Sequence, residues 1–164
     1  MKIKKILNAC STFIVSIVLV IALLLVGVKF LGVDVYIVLS GSMEPKYPTG
    51  SVIYVKDVDV DELKAGDVIT YQLNNSVVAT HRIVEVVNEN NQIAFKTKGD
   101  ANDHVDNGVV NANQVIGSPF FAIPFLGYLA SYIQSPSGMY VAIAFAVAML
   151  AFMLLLEINR DDKK

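Results

Sequence analysis

The chain has 164 residues, a formal net charge of −2 and 54% hydrophobic residues, with a mean hydropathy of +0.54. That length suits one modest domain, and so apolar a composition with unevenly placed charges predicts membrane segments. The near-neutral balance and the absence of an aromatic–basic stripe exclude nucleic acid as a partner.

The single cysteine, Cys10, rules out an intramolecular disulfide. Leu7-Asn8-Ala9-Cys10 has the look of a lipoprotein cleavage box. The apolar core follows this cysteine instead of preceding it, so no lipidation signal is read there.

Taken in order, the chain opens with Lys2, Lys4 and Lys5 and then runs without charge from Ile6 to Val28. That is long enough to span a bilayer with some tilt, and longer than the core of a cleavable signal peptide, so an uncleaved anchor is predicted over residues 1–30. The lysines before it place the amino terminus in the cytoplasm.

Residues 31–117 read as a β-rich domain. Val35–Ser40, Ser51–Lys56, Val68–Leu73, Val77–Val87, Gln92–Thr97 and Val109–Ile116 are rich in Val, Ile, Tyr and Thr. Turn residues separate them, with hairpin turns predicted at Asn74-Asn75 and Asn88–Asn91. No helix longer than a turn or two is needed in this part.

Residues 118–137 are apolar but broken by Pro119, Pro124, Gly127 and Pro136, which suits a segment lying on a membrane. The unbroken apolar run Met139–Leu156 predicts a second transmembrane helix over residues 138–157. Arg160, Lys163 and Lys164 mark residues 158–164 as a cytoplasmic tail. Two spans with both ends inside put the β domain on the extracytoplasmic side of the cell membrane.

Among the charged clusters, Asp57, Asp59 and Asp61 have the alternation that opens an EF-hand loop, but Glu62 and Val68 stand where that loop wants Gly and Glu. A solvated acidic loop is the better reading. The two histidines are His81, inside a predicted strand, and His104, in the polar loop Gly99–Asp106. No compact ligand pair accompanies them, so neither a metal nor another cofactor is expected.

A different constellation carries chemistry. In Val38-Leu39-Ser40-Gly41-Ser42-Met43-Glu44-Pro45, an apolar run ends in slim hydroxyl residues at a turn, where a serine nucleophile can be approached by a peptide chain. Serine needs a base, which a neutral imidazole such as His81 supplies, and a carboxylate behind the imidazole holds its tautomer. Asp106 and Asp100 are the candidates for that carboxylate. Asp100 follows Gly99 in a turn, where a short carboxylate commonly caps its own backbone, so Asp106 is favoured as the orienter, with the reverse assignment open.

These stretches together resemble the type I signal peptidases. Val38–Pro45 resembles their nucleophile motif, Gly66-Asp67-Val68-Ile69-Thr70-Tyr71 their second strand, Thr80-His81-Arg82-Ile83-Val84 the histidine form of the base motif, and Lys98-Gly99-Asp100-Ala101-Asn102 through Asp106 the acidic motif. Histidine in place of lysine points to the endoplasmic-reticulum branch, found also in archaea and some Gram-positive bacteria. Ala101-Asn102 departs from the Asn-Asn common in eukaryotic members. The resemblance implies a mainly β, compact antiparallel domain flanked by two transmembrane helices. It implies a serine endopeptidase that removes signal peptides from exported preproteins and prefers small residues before the cut. Ser42 would be the nucleophile, His81 the general base, Asp106 or Asp100 the orienter, and the Ser40 hydroxyl part of the oxyanion hole. The implied partners are signal peptides, the lipid bilayer and the protein-export machinery. A self-cleaving protease of the SOS-repressor type pairs serine with lysine and carries no anchors, so it fits less well. A non-catalytic membrane-anchored β module of an export complex is the alternative from another class.

Overall fold

The computed structural model describes residues 2–74, 77–89 and 92–161. The turn residues Asn75, Asn90 and Asn91, and the tail residues Asp162, Lys163 and Lys164, lie outside the described residues. The chain divides into two compact units, residues 28–128 and the pair of segments Met1–Gly27 and Leu129–Lys164.

The first unit is built on seven strands, β1 (Val33–Ile37), β2 (Val52–Lys56), β3 (Val68–Asn74), β4 (Val77–Glu89), β5 (Gln92–Lys98), β6 (Val110–Asn111) and β7 (Val115–Ile123). They form one sheet in the order β1-β2-β7-β3-β4-β5-β6. Every pairing is antiparallel. Between Val33 and Gly117 the helical pieces are three-residue 3-10 turns, at Val60–Glu62 and Ala112–Gln114.

β7 joins the two halves. Its first residues pair with β3 through Val115 and Gly117, and its later ones pair with β2 from Ser118 to Ile123. Gly117 permits the crossing, because a Cβ there would run into the Lys56 carbonyl oxygen. Two apolar clusters follow from this division. Met43, Tyr47, Ile53, Val55 and Val68 pack in one, and Ile69, Tyr71, Ile83, Phe95 and Val110 in the other.

Two predicted strands differ from those observed. The first, read as Val35–Ser40, begins at Val33 and ends at Ile37. Its partner β2 starts at Val52, just after the turn at Gly50, so the ladder has nothing left to pair with beyond Ile37. Two bonds at Val38 close it, its N–H to the Ser51 carbonyl and the Gly50 N–H to its own carbonyl, each at 2.9 Å. The last, read as Val109–Ile116, is broken at the Ala112–Gln114 turn and then runs on to Ile123. The boundary read at residue 117 therefore falls inside a strand. Pro119 is tolerated there at a register shift opposite Tyr54/Val55, where a missing N–H breaks no ladder bond.

The second unit contains α1 (Lys2–Leu25) and α3 (Pro136–Asp161), which touch each other. Along the chain, α2 (Leu126–Gln134) follows β7 and precedes α3. Ser135 begins α3 by accepting the Gly138 N–H at 3.1 Å, with Pro136 at the first helical position, where its lacking N–H costs nothing. Among the described residues, one helix is long and apolar enough to cross a membrane, over Pro136–Met153. In α1 the apolar stretch is the shorter Ala9–Leu25. The helix stops at Leu25, and Gly27–Leu31 tighten into a 3-10 turn, so the charge-free run to Val28 is not helical throughout.

Candidate active site

Ser42 sits in a tight turn, not at the end of a strand, and four hydrogen bonds hold that turn. The Glu44 N–H bonds the Gly41 carbonyl at 3.0 Å, and the Tyr47 N–H bonds the Met43 carbonyl at 3.0 Å. Glu44 Oε1 accepts from the Thr49 N–H at 3.3 Å and from its hydroxyl at 3.2 Å. Met43, next to the serine, is 2% exposed. Burying such a side chain contributes about 1.5–3 kcal/mol, which pins the turn to the core.

The acidic loop presses on the same turn from the other side. The Ala101 N–H donates to the Ser42 carbonyl at 2.9 Å. Gly99 makes this approach possible, since a Cβ there would lie 2.6 Å from the Ser42 carbonyl oxygen and 2.8 Å from Asn102 Nδ2. The glycine of the Lys98-Gly99-Asp100 motif is thus a matter of space.

His81 lies on β4 opposite Ile69 of β3. Its Nε2 is 3.2 Å from Ser42 Oγ, and its Nδ1 is 2.5 Å from Asp106 Oδ2. Ser40 Oγ is 3.3 Å from Ser42 Oγ. The structure therefore brings Ser40, Ser42, His81 and Asp106 into one hydrogen-bonded chain. The His81 and Asp106 side chains are 14% and 25% exposed, so both are largely sheltered from water.

Asp100 is elsewhere. It takes a bidentate pair from Arg82, Nε to Oδ1 at 2.8 Å and a terminal nitrogen to Oδ2 at 2.6 Å. Arg82 also donates to the Gly66 carbonyl at 2.7 Å, so this cluster ties the acidic loop to the β3 approach. Strand alternation explains the division of labour, because His81 and its neighbour Arg82 point to opposite faces of β4. The Arg82 guanidinium holds the Asp100 carboxyl below its ordinary range, through its hydrogen bonds first and its charge second. His104 is exposed. In the acidic Asp57–Asp61 loop, Asp57 and Asp59 accept the backbone N–H groups of Val58 and Asp61.

The depressed Asp100 value carries a pH prediction. A carboxylate whose folded pKa lies below its unfolded one stabilises the fold above about pH 4 and loses that contribution as pH falls through the folded value. The pair is partly exposed, so about 1–2 kcal/mol is expected at neutral pH. Asp100→Asn should lower the urea midpoint at pH 7, and the gap from the parent chain should close as pH falls through the depressed folded value. A gap that persists at low pH would argue against the ion pair as its source.

Two residues of the site were not singled out in the sequence. The Thr97 hydroxyl donates to Asp106 Oδ2 at 2.8 Å, and the Tyr71 hydroxyl is 3.3 Å from Thr97 Oγ1. Both sit in strands as ordinary β-formers, and only the contact of their hydroxyls, from strands on either side of β4, gives them a place in the site.

The site opens into a cleft of about 570 Å³ whose lining includes Tyr36, Ile37, Met43, Ala79, Ser42 and His81. β1 is an edge strand. Over residues 77–81, β4 pairs with β3 alone, since its pairing to β5 begins at Arg82. Among the described residues, the cleft thus runs between two strand edges whose outer hydrogen-bonding groups pair with no other strand.

No family model matches the chain. Signal peptidase I W of Bacillus subtilis (strain 168) is 38% identical over 120 residues, covering 68% of this chain and 63% of that protein. The chain is a homologue of the type I signal peptidases. Similarity extends to the endoplasmic-reticulum type of these enzymes. The signal peptidase complex catalytic subunit SEC11C of Rattus norvegicus is 28% identical over 131 residues, 74% of this chain and 67% of that protein. The signal peptidase complex catalytic subunit sec11 of Neurospora crassa is 32% identical over 104 residues, 58% and 60% of the two chains. The match thus spans somewhat less than two thirds of the Bacillus signal peptidase and of the Neurospora subunit.

Proposed function

We propose that this chain is a membrane-bound serine endopeptidase that removes signal peptides from exported preproteins. The observation that carries the reading is the Ser42–His81–Asp106 hydrogen-bonded chain opening onto a cleft between two free strand edges. An extended peptide entering that cleft would add a strand, with backbone bonds supplying affinity and alternate side chains meeting the walls. The apolar lining from Ile37, Met43 and Ala79 suits small apolar side chains before the cut.

His81 Nε2 takes the Ser42 proton as Oγ attacks the scissile carbonyl, and Asp106 stabilises the imidazolium so formed. The Ser42 backbone N–H and the Ser40 hydroxyl receive the developing oxyanion. His81 then protonates the leaving amine, and water releases the signal peptide from Ser42 by the same steps in reverse.

Two membrane spans, α1 and α3, complete the reading, with the sheet on the extracytoplasmic side and both chain ends inside. Phe120, Phe121, Phe125 and Tyr128 each expose more than half of their surface at the end of β7 and the start of α2, which supports contact with lipid. The partners on this reading are signal peptides, the bilayer and the protein-export machinery. The names of the endoplasmic-reticulum-type relatives, catalytic subunits of a signal peptidase complex, support work beside other subunits.

Cleavage of a preprotein by the purified, detergent-solubilised chain, absent in Ser42→Ala, is the test of the activity. For topology, cysteines at exposed Lys64 and at Arg160, in a Cys10→Ser background, should react oppositely with a membrane-impermeant thiol reagent in intact cells. Labelling at residue 160 but not at residue 64 would sink the topology.

A further inference from the structure

We infer that Thr97, backed by Tyr71, is a positioning residue that fixes the Asp106 carboxylate against His81; this rests on the reading of Ser42, His81 and Asp106 as the reacting set. The direction of every hydrogen bond in the network follows from proton counting. An ionised carboxylate only accepts, so the bond from Thr97 Oγ1 to Asp106 Oδ2, at 2.8 Å, uses the one proton of the threonine hydroxyl. The Tyr71 hydroxyl, 3.3 Å from the same Oγ1, must then be the donor to it. Burial pushes the Tyr71 phenol up from its ordinary value, which keeps that proton in place.

On the other side, His81 Nδ1–H donates to Asp106 Oδ2, leaving Nε2 to accept from Ser42 Oγ. Ser42 Oγ in turn accepts from Ser40. Two chains of donors, Tyr71 to Thr97 to Asp106 and Ser40 to Ser42 to His81, are joined by the single His81–Asp106 bond. Reversing any one link would break its neighbour, so the arrangement selects the His81 tautomer with a free Nε2 lone pair.

Thr97 has a second hold on the same residue. The Asp106 N–H donates to the Thr97 carbonyl at 2.8 Å, so backbone and side chain of residue 97 grip backbone and side chain of residue 106. The acidic loop is otherwise exposed around Asp106, at Val105, Asn107 and Gly108. The two holding residues are the reverse, with Thr97 1% and Tyr71 3% exposed. The carboxylate of an exposed loop is thus held by buried residues of the sheet, as positioning to a fraction of an ångström requires. Arg82 and Asp100 satisfy each other through two hydrogen bonds and leave Asp106 to His81.

The test uses the full detergent-solubilised chain and the near-isosteric Thr97→Val, with Thr97→Ser as the variant that keeps the hydroxyl. Thr97→Val is expected to lower kcat for preprotein cleavage by about 10–100-fold, by analogy with the outer partners that orient metal-ligating side chains, with KM nearly unchanged. Thr97→Ser should restore most of kcat, and Tyr71→Phe should lose several-fold. A second measurement needs no substrate. The chain has two histidines, so with isotope-labelled histidine the far-downfield proton on His81 Nδ1 is identified by its persistence in His104→Ala. That resonance should move or broaden in Thr97→Val and return in Thr97→Ser. Parent-like kcat and an unmoved resonance in a folded Thr97→Val would overturn the inference. If Thr97→Val does not fold, parent-like kcat and resonance in Tyr71→Phe overturn the inferred Tyr71–Thr97 support. If the parent chain cleaves no preprotein, the functional reading fails and the resonance alone decides the positioning role.

Discussion

Ser42→Ala and His81→Ala are each expected to lower preprotein cleavage by a factor on the order of 10⁴ or more, and the double variant should be little worse than either. The reason is the single route for the proton. Among the described residues, the base hydrogen-bonded to Ser42 Oγ is His81 Nε2 at 3.2 Å, and a base without its nucleophile has nothing to activate. Circular dichroism and melting should be close to those of the parent, because neither side chain belongs to the apolar clusters. His81→Lys should also be inactive. A lysine reaching from the same position would have to be desolvated to act as a base, and Asp106 would hold its ammonium charged. Cleavage at the parent rate by His81→Ala would remove His81 from the mechanism.

Asp106→Asn carries the second large effect, a loss on the order of 10⁴-fold in kcat with the fold retained. The amide can present its NH₂ to Nδ1, which drives the proton to Nε2 and leaves no lone pair for the Ser42 hydroxyl. It also cannot stabilise an imidazolium. Asp100→Asn should differ in kind, keeping measurable activity while melting lower, since Asp100 bonds Arg82 and not the histidine. His104→Ala should be close to neutral. Cleavage assays paired with thermal melts separate these cases. Normal cleavage by Asp106→Asn, with a folded but inactive Asp100→Asn, would exchange the two assignments.

Much of the architecture was legible because it is written locally. Alternating Val, Ile, Tyr and Thr between turn residues give β2, β3, β4 and β5 within a residue or two of their observed limits. A strand's character depends on its own side chains. Its length also depends on a partner, which is why β1 stops early and β7 continues through Pro119. The motif around Ser42 was legible as a strand leading into a turn, but the contacts that hold the turn, from Glu44 and buried Met43, were not.

The sequence by itself determined the residue types, namely a hydroxyl after a slim turn, one imidazole on a strand and two carboxylates in one polar loop. Which carboxylate meets the imidazole was decided only by tertiary structure. His81 and Arg82 are adjacent in sequence but face opposite ways, so one strand sends its two side chains to two different aspartates. Thr97 carries no local mark, and Tyr71 stands in a motif strand without a mark of this contact. They reach Asp106 because β5, β4 and β3 are neighbours in the sheet, and that neighbourhood is set by pairing between residues far apart along the chain.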